Sequence, residues 1–142
     1  MKIKKRIIDW NFIHTAVDRL CLNILKSEIK VNAVYGLPRG GLVPAVMISH
    51  RLKIPFMGID NVDKDYDKIL LVDDICDSGD TLKRFVEYPD EIITATIHYK
   101  SSSVYEPNFW YRLAYEDEWI VYPWETEDSE MIQGYKLHNY DR

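Results

Sequence analysis

Ile69-Leu70-Leu71-Val72-Asp73-Asp74-Ile75-Cys76-Asp77-Ser78-Gly79-Asp80-Thr81-Leu82 is the stretch that decides the fold. Its four opening apolar residues have the pattern of a strand buried on both faces in a parallel sheet. The strand is expected to end at the two carboxylates, where small and polar residues begin a turn. From Thr81 onward, Leu82, Phe85 and Val86 fall at helical spacing. Strand, loop and helix in that order form an α/β unit, and ligands of open α/β sheets sit outside the carboxyl ends of the strands. The loop suits a phosphorylated ligand. Gly79 allows close backbone approach, Ser78 and Thr81 carry hydroxyls, and a helix N-terminus offers unpaired N–H groups. Asp73 and Asp74 would repel a bare phosphate, so they point to sugar hydroxyls, a shared Mg²⁺, or both. Asp, Ser and Gly also make ordinary turns; the full spacing, apolar run, Asp-Asp, then Asp-Ser-Gly-x-Thr, is far more restrictive.

The same arrangement occurs upstream. Val31 to Tyr35 reads as a short strand, Gly36-Leu37-Pro38-Arg39-Gly40-Gly41 as a loop, and Leu42 to Leu52 as a helix that tolerates Pro44 in its first turn. An arginine beside two glycines offers a bidentate cation and exposed amides, which suit a pyrophosphate. Alone this is a weak signal; beside a second anion loop it becomes half of one site.

Further outward, Asp9 can cap a helix whose inward face is Ile13, Ala16, Val17, Leu20 and Ile24. Pro55 to Ile59 reads as a strand, Asp60 to Lys68 as a solvated connection, and β-branched Glu91 to Tyr99 as another strand. Lys100 then stands at a carboxyl end, on the side of the two loops. Phe109 to Ala114 reads as a last strand. The aromatic run Tyr115 to Trp124 suits core packing or a subunit contact, and the residues after it are polar.

With 142 residues, 46% hydrophobic and 29% charged, the chain fits one domain with its own core. Its 18 basic and 23 acidic residues give a net charge of −5, which disfavours nucleic acid as a partner. Cys21 and Cys76 have no zinc or disulfide-framework spacing. Neither a signal-peptide core nor a run of membrane-spanning length is seen, so a cytoplasmic location is expected.

These motifs resemble the type I phosphoribosyltransferases, and in particular their bacterial xanthine-guanine branch, over nearly the whole length up to about Glu125. The resemblance implies a central, mostly parallel sheet flanked by helices, with a small C-terminal base-binding hood at about residues 100–125 and a polar tail at about 126–142. It implies transfer of a 5-phosphoribosyl group from 5-phosphoribosyl 1-pyrophosphate (PRPP) to guanine, xanthine or hypoxanthine, with release of pyrophosphate, as in purine salvage. Asp77, Ser78, Gly79, Asp80 and Thr81 would then hold the 5′-phosphate. Asp73 and Asp74 would engage the ribose hydroxyls, directly or through Mg²⁺. Pro38, Arg39, Gly40 and Gly41 would form the pyrophosphate loop.

The resemblance further implies that Asp77 serves as general acid/base at the purine N7, and that Lys100 donates to the oxygen at C6. Trp119 would stack on the ring and the Ile120 carbonyl would accept from the base edge. Two features depart from the family: the connection at 60–68 is shorter than the family's mobile lid, and Pro38 replaces a small polar residue. A shortened lid leaves open a second reading, a PRPP- or nucleotide-binding regulatory module with little turnover. A homo-oligomer is expected, with the aromatic tail as a subunit contact.

Overall fold

A computed structural model describes residues 2–58, 67–87 and 91–126. Asp9 caps the first helix, accepting from the Phe12 amide at 2.8 Å, and α1 (Trp10–Lys26) follows. Its buried face is Ile13, Ala16, Val17, Leu20, Cys21 and Ile24. The three- and four-residue spacing expected from the sequence is therefore the face that packs. Ile13, Leu20 and Ile24 are shut off from water, and burial of each such side chain contributes about 1.5–3 kcal/mol.

The central sheet is four-stranded and wholly parallel, in the order β2 (Ala33–Gly36), β3 (Lys68–Cys76), β4 (Glu91–Tyr99) and β5 (Phe109–Leu113). Successive β3 residues feed opposite faces, as a two-residue repeat requires. Leu70 and Val72 join Ile13 and Val17 of α1 and Ile48 of α2 (Leu42–Leu52). Leu71 joins Leu37, Tyr99 and Leu82, the last from α3 (Asp80–Val86). Helices therefore cover both faces, and the apolar run at 69–72 is the strand at the centre.

Three expectations need correction. β3 does not end at the carboxylates: Asp73, Ile75 and Cys76 keep pairing with Thr96, His98 and Tyr99 of β4, so Asp73 and Asp74 are strand residues. The strand expected at Pro55 to Ile59 is, up to Gly58, only an isolated bridge between Val34 and Phe56. Pro55 has no N–H to donate, and its carbonyl accepts from the Val34 amide at 2.9 Å. Finally, Lys4–Ile7 forms an unforeseen strand, β1, which pairs in parallel with β6 (Glu118–Val121) in a separate two-stranded sheet. The remaining expected strands and helices stand within one or two residues of their expected places. Most of the 60–68 connection and of the polar tail lies outside the described residues.

Candidate active site

β2 and β3 are parallel neighbours, so the loops that follow them leave the sheet at the same edge. The first loop is pressed against the second strand. The Leu37 amide donates to the Val72 carbonyl at 2.9 Å, and the Gly41 amide to Leu37 O at 2.8 Å. A Cβ on Gly41 would stand 2.2 Å from the Val72 carbonyl oxygen, and one on Gly40 would stand 2.0 Å from Asp74 Oδ2. Gly41 is thus required by close approach to the backbone, and Gly40 lies directly on a carboxylate. Pro38 and Arg39 are exposed at the tip, joined by a cis peptide bond.

Asp73 and Asp74 are half-buried at the end of β3. Oδ1 of each accepts from the next amide, Asp74 N at 2.9 Å and Ile75 N at 2.7 Å. Burial raises both carboxyl pKa values, Asp73 well above the usual carboxylate range, where the neighbouring Asp74 charge adds to the effect. Two crowded carboxylates held this way favour anything that brings positive charge or hydroxyl donors. Such hard oxygen donors fit Mg²⁺. Among the described residues no cluster of three or more potential ligands forms a complete metal cage, so a cation here would rely on ligand or water oxygens as well.

The second loop, Asp77 to Gly79, turns through Gly79 at φ 86° into α3. Its other wall is the loop after β4: the Val104 amide donates to Ser78 O at 2.8 Å, and a Cβ on Gly79 would stand 2.8 Å from the Tyr105 amide nitrogen. Asp77, Ser78, Asp80 and Thr81 are exposed around this turn, while Gly79 is buried. Lys100 follows β4 directly, its amide bonded to Cys76 O at 3.0 Å. Its side chain is 10% exposed and its ammonium stands 3.3 Å from Asp77 Oδ1. The structure therefore brings Asp77 and Lys100 together.

Trp119 and Ile120 lie on β6, Trp119 in register with Lys5 and Ile120 with Arg6. Among the described residues no hydrogen bond, ion pair or ring contact joins Trp119 to Lys100. The link from this segment to the carboxylates runs instead through Tyr122, whose hydroxyl is 3.1 Å from Asp74 O and 2.8 Å from His98 Nδ1. The sequence marked Tyr122 only as part of an aromatic run suited to core packing or a subunit contact, and His98 sat unmarked inside a strand pattern. A cleft of about 460 Å³ is walled by Arg6, Phe12, His98, Arg112 and Glu118 among others. Its lining includes none of Pro38 to Gly41, Asp73, Asp74, Asp77 to Thr81 or Lys100.

Residues 63–130 match the phosphoribosyl transferase domain family. Among proteins of known function, the chain is 27% identical over 140 residues to the xanthine-guanine phosphoribosyltransferase of Vibrio parahaemolyticus, covering 86% of this chain and 90% of that one. It is 24% identical over 135 residues to that of Chromohalobacter salexigens, covering 83% and 82%. The crystal structure of the Pyrococcus horikoshii purine phosphoribosyltransferase superposes with a TM-score of 0.70 at 27% identity, over 86% of this chain and 95% of that one. In sequence and in fold the chain is similar to the type I phosphoribosyltransferases.

The fold of the chain also matches the Helicobacter pylori xanthine-guanine-hypoxanthine phosphoribosyltransferase, with a TM-score of 0.75 at 18% identity over 90% of this chain. The chain thus keeps the mostly parallel sheet flanked by helices that its sequence implied. No helix among its described residues is long and apolar enough to cross a membrane.

Proposed function

We infer that this protein moves a 5-phosphoribosyl group from PRPP to a 6-oxopurine, releasing pyrophosphate and forming a purine nucleotide. The observation that carries the reading is the Asp77–Lys100 pair at adjacent strand ends, in the crook where both loops leave the sheet. Such transfers pass through a cation-like sugar, so the work of the protein is to hold two anions apart, align the base and exclude water.

In this reading the turn from Asp77 to Thr81 (Asp77, Ser78, Gly79, Asp80 and Thr81) takes the 5′-phosphate, with the Ser78 and Thr81 hydroxyls and the backbone amides as donors. Pro38, Arg39, Gly40 and Gly41 form the pyrophosphate loop, with Arg39 as the bidentate cation. Asp73 and Asp74 accept from the ribose hydroxyls and share a Mg²⁺, which supplies charge neutralisation for the pyrophosphate when bound. Asp77 exchanges the proton at purine N7 as general acid/base. Lys100 donates to the C6 oxygen, Trp119 stacks on the ring and the Ile120 carbonyl accepts from the base edge. The hood of about residues 100–125, the single-domain organisation of 1–142, a homo-oligomer and a cytoplasmic role in purine salvage belong to the same proposal. The curated relatives, bacterial xanthine-guanine enzymes, support it.

The test is direct. Protein, Mg²⁺ and PRPP are incubated with guanine, xanthine or hypoxanthine, and the mixture is resolved by chromatography. Nucleotide from at least one base is the expected result; none from any base overturns the reading.

A further inference from the structure

We propose that Tyr122, backed by His98, is a positioning residue for Asp74, tying the segment that carries Trp119 and Ile120 to the carboxylate pair. The proposal rests on the functional reading above for what the carboxylates hold, and on geometry for the tie itself.

Asp74 is the one residue of β3 without a pairing partner on β4: the register runs Asp73 to Thr96, then Ile75 to His98. Its carbonyl is instead met by the Tyr122 hydroxyl at 3.1 Å, across 48 positions of chain. The phenol has a single proton. When that proton is donated to the Asp74 carbonyl, the phenol oxygen is left to accept from His98 Nδ1–H at 2.8 Å. This assignment makes Nε2 a bare acceptor, and Nε2 is buried with no partner. The alternative, a phenol donating to Nδ1, would leave Nε2 as a buried donor unmet and the Asp74 carbonyl without the phenol.

Both rings are held in place. Tyr122 is 2% exposed and stacks on Trp124 at 5.0 Å between centroids with 1° between planes; His98 is 1% exposed and stacks on Phe12 at 5.4 Å and 3°. The hydroxyl therefore cannot follow Asp74 if the strand end shifts. Asp74 is held at two points, its carboxylate by the Ile75 amide and its carbonyl by Tyr122, and its carboxylate lies against Gly40. Tyr122 directly follows β6, two residues past Ile120. A single hydroxyl thus joins the wall that would hold the base to the floor that would hold ribose and metal.

The experiment uses the full chain and the Tyr122→Phe variant, which keeps the ring and removes only the hydroxyl. Calorimetry measures PRPP binding with Mg²⁺, and separately purine binding. Loss of one hydrogen bond predicts about five- to tenfold weaker PRPP affinity, with purine affinity within about twofold. His98→Asn should shift PRPP affinity in the same direction by a smaller factor, and it stands in if Tyr122→Phe does not fold. Amide and imidazole ¹⁵N spectra supply a readout independent of substrate: Tyr122→Phe should move the Asp74 and Ile75 amides and the His98 Nδ1 signal. Unchanged Asp74 and Ile75 amides, or purine affinity falling in place of PRPP affinity, would overturn the proposal. A wild-type chain that takes no PRPP at all removes the functional reading instead, and the amide shifts alone then decide whether Tyr122 holds Asp74.

Discussion

Lys100 Nζ stands 3.3 Å from Asp77 Oδ1, joining the residue after β4 to the residue after β3. The two side chains differ in setting: the lysine is 10% exposed, the aspartate 61%. An ion pair so open on one side contributes little to stability. Its value is in placement, because it aims a carboxylate and an ammonium at one small volume. Asp77→Asn keeps the shape and removes the proton acceptor, so turnover should fall by about 10²–10⁴-fold while calorimetric PRPP affinity stays within a few fold. If PRPP binding disappears with turnover, Asp77 is holding the loop and not the proton.

Gly40 and Gly41 should respond differently to alanine, although they are neighbours. At Gly41 the new methyl meets the Val72 carbonyl, which cannot move without moving the central strand, so unfolding free energy should drop by about 1–3 kcal/mol. At Gly40 it meets the end of the Asp74 side chain, which can swing aside. Gly40→Ala should therefore lose less stability in thermal unfolding but displace the carboxylate and weaken PRPP–Mg²⁺ binding at least tenfold. Equal losses in both assays for the two variants would sink the distinction.

Asp73 and Asp74 predict a trade between binding and stability. Burial raises both folded-state pKa values, and the Asp74 charge raises that of Asp73 further, so the stability they contribute is present at low pH and is lost as pH rises through those values. In chelator-treated protein at pH 7, Asp73→Asn should raise the unfolding midpoint in urea while abolishing PRPP binding. A lower midpoint would show that the pair is not strained.

His98 acts with the opposite sign. Burial lowers its pKa from the ordinary 6.5 to about 4. The unfolded chain binds this proton first, so the histidine's contribution is whole above pH 6.5 and is lost as pH falls toward 4, at about 1.4 kcal/mol per pH unit. Urea titrations between pH 7 and 4.5 should show a shallower acid loss for His98→Asn than for wild type. Parallel pH profiles would mean that the imidazole titrates alike in both states.

Local pattern accounted for what was legible beforehand. Leu70 to Val72, the stripe from Ile13 to Ile24, and Glu91 to Tyr99 each announce their surroundings through spacing within a dozen residues, and the two loops follow from strand ends. What escaped depends on distant partners. Lys4-Lys5-Arg6-Ile7 is exposed along its length and becomes a strand because β6 lies beside it. Phe56 touches β2 through one bridge, which no propensity could distinguish from a full strand. The strand is expected to end at Asp73 and Asp74 because carboxylates are poor strand formers; the pairing of Asp73, Ile75 and Cys76 with β4 overrides that preference. The His98–Tyr122–Asp74 chain spans 24 and 48 positions, and no short motif encodes it.

The small sheet formed by β1 and β6 also bears on the order of assembly. Arg6 and Glu118, paired across it, are 112 positions apart. Closing a loop of that length is entropically costly in a bare chain, and cheaper once the four central strands have already drawn its ends together. Trp119 and Ile120 therefore take their places late on the folding route. By the same reasoning their strand is the first to detach on partial opening, and amide exchange should be fastest there while the β3–β4 ladder still holds its protons.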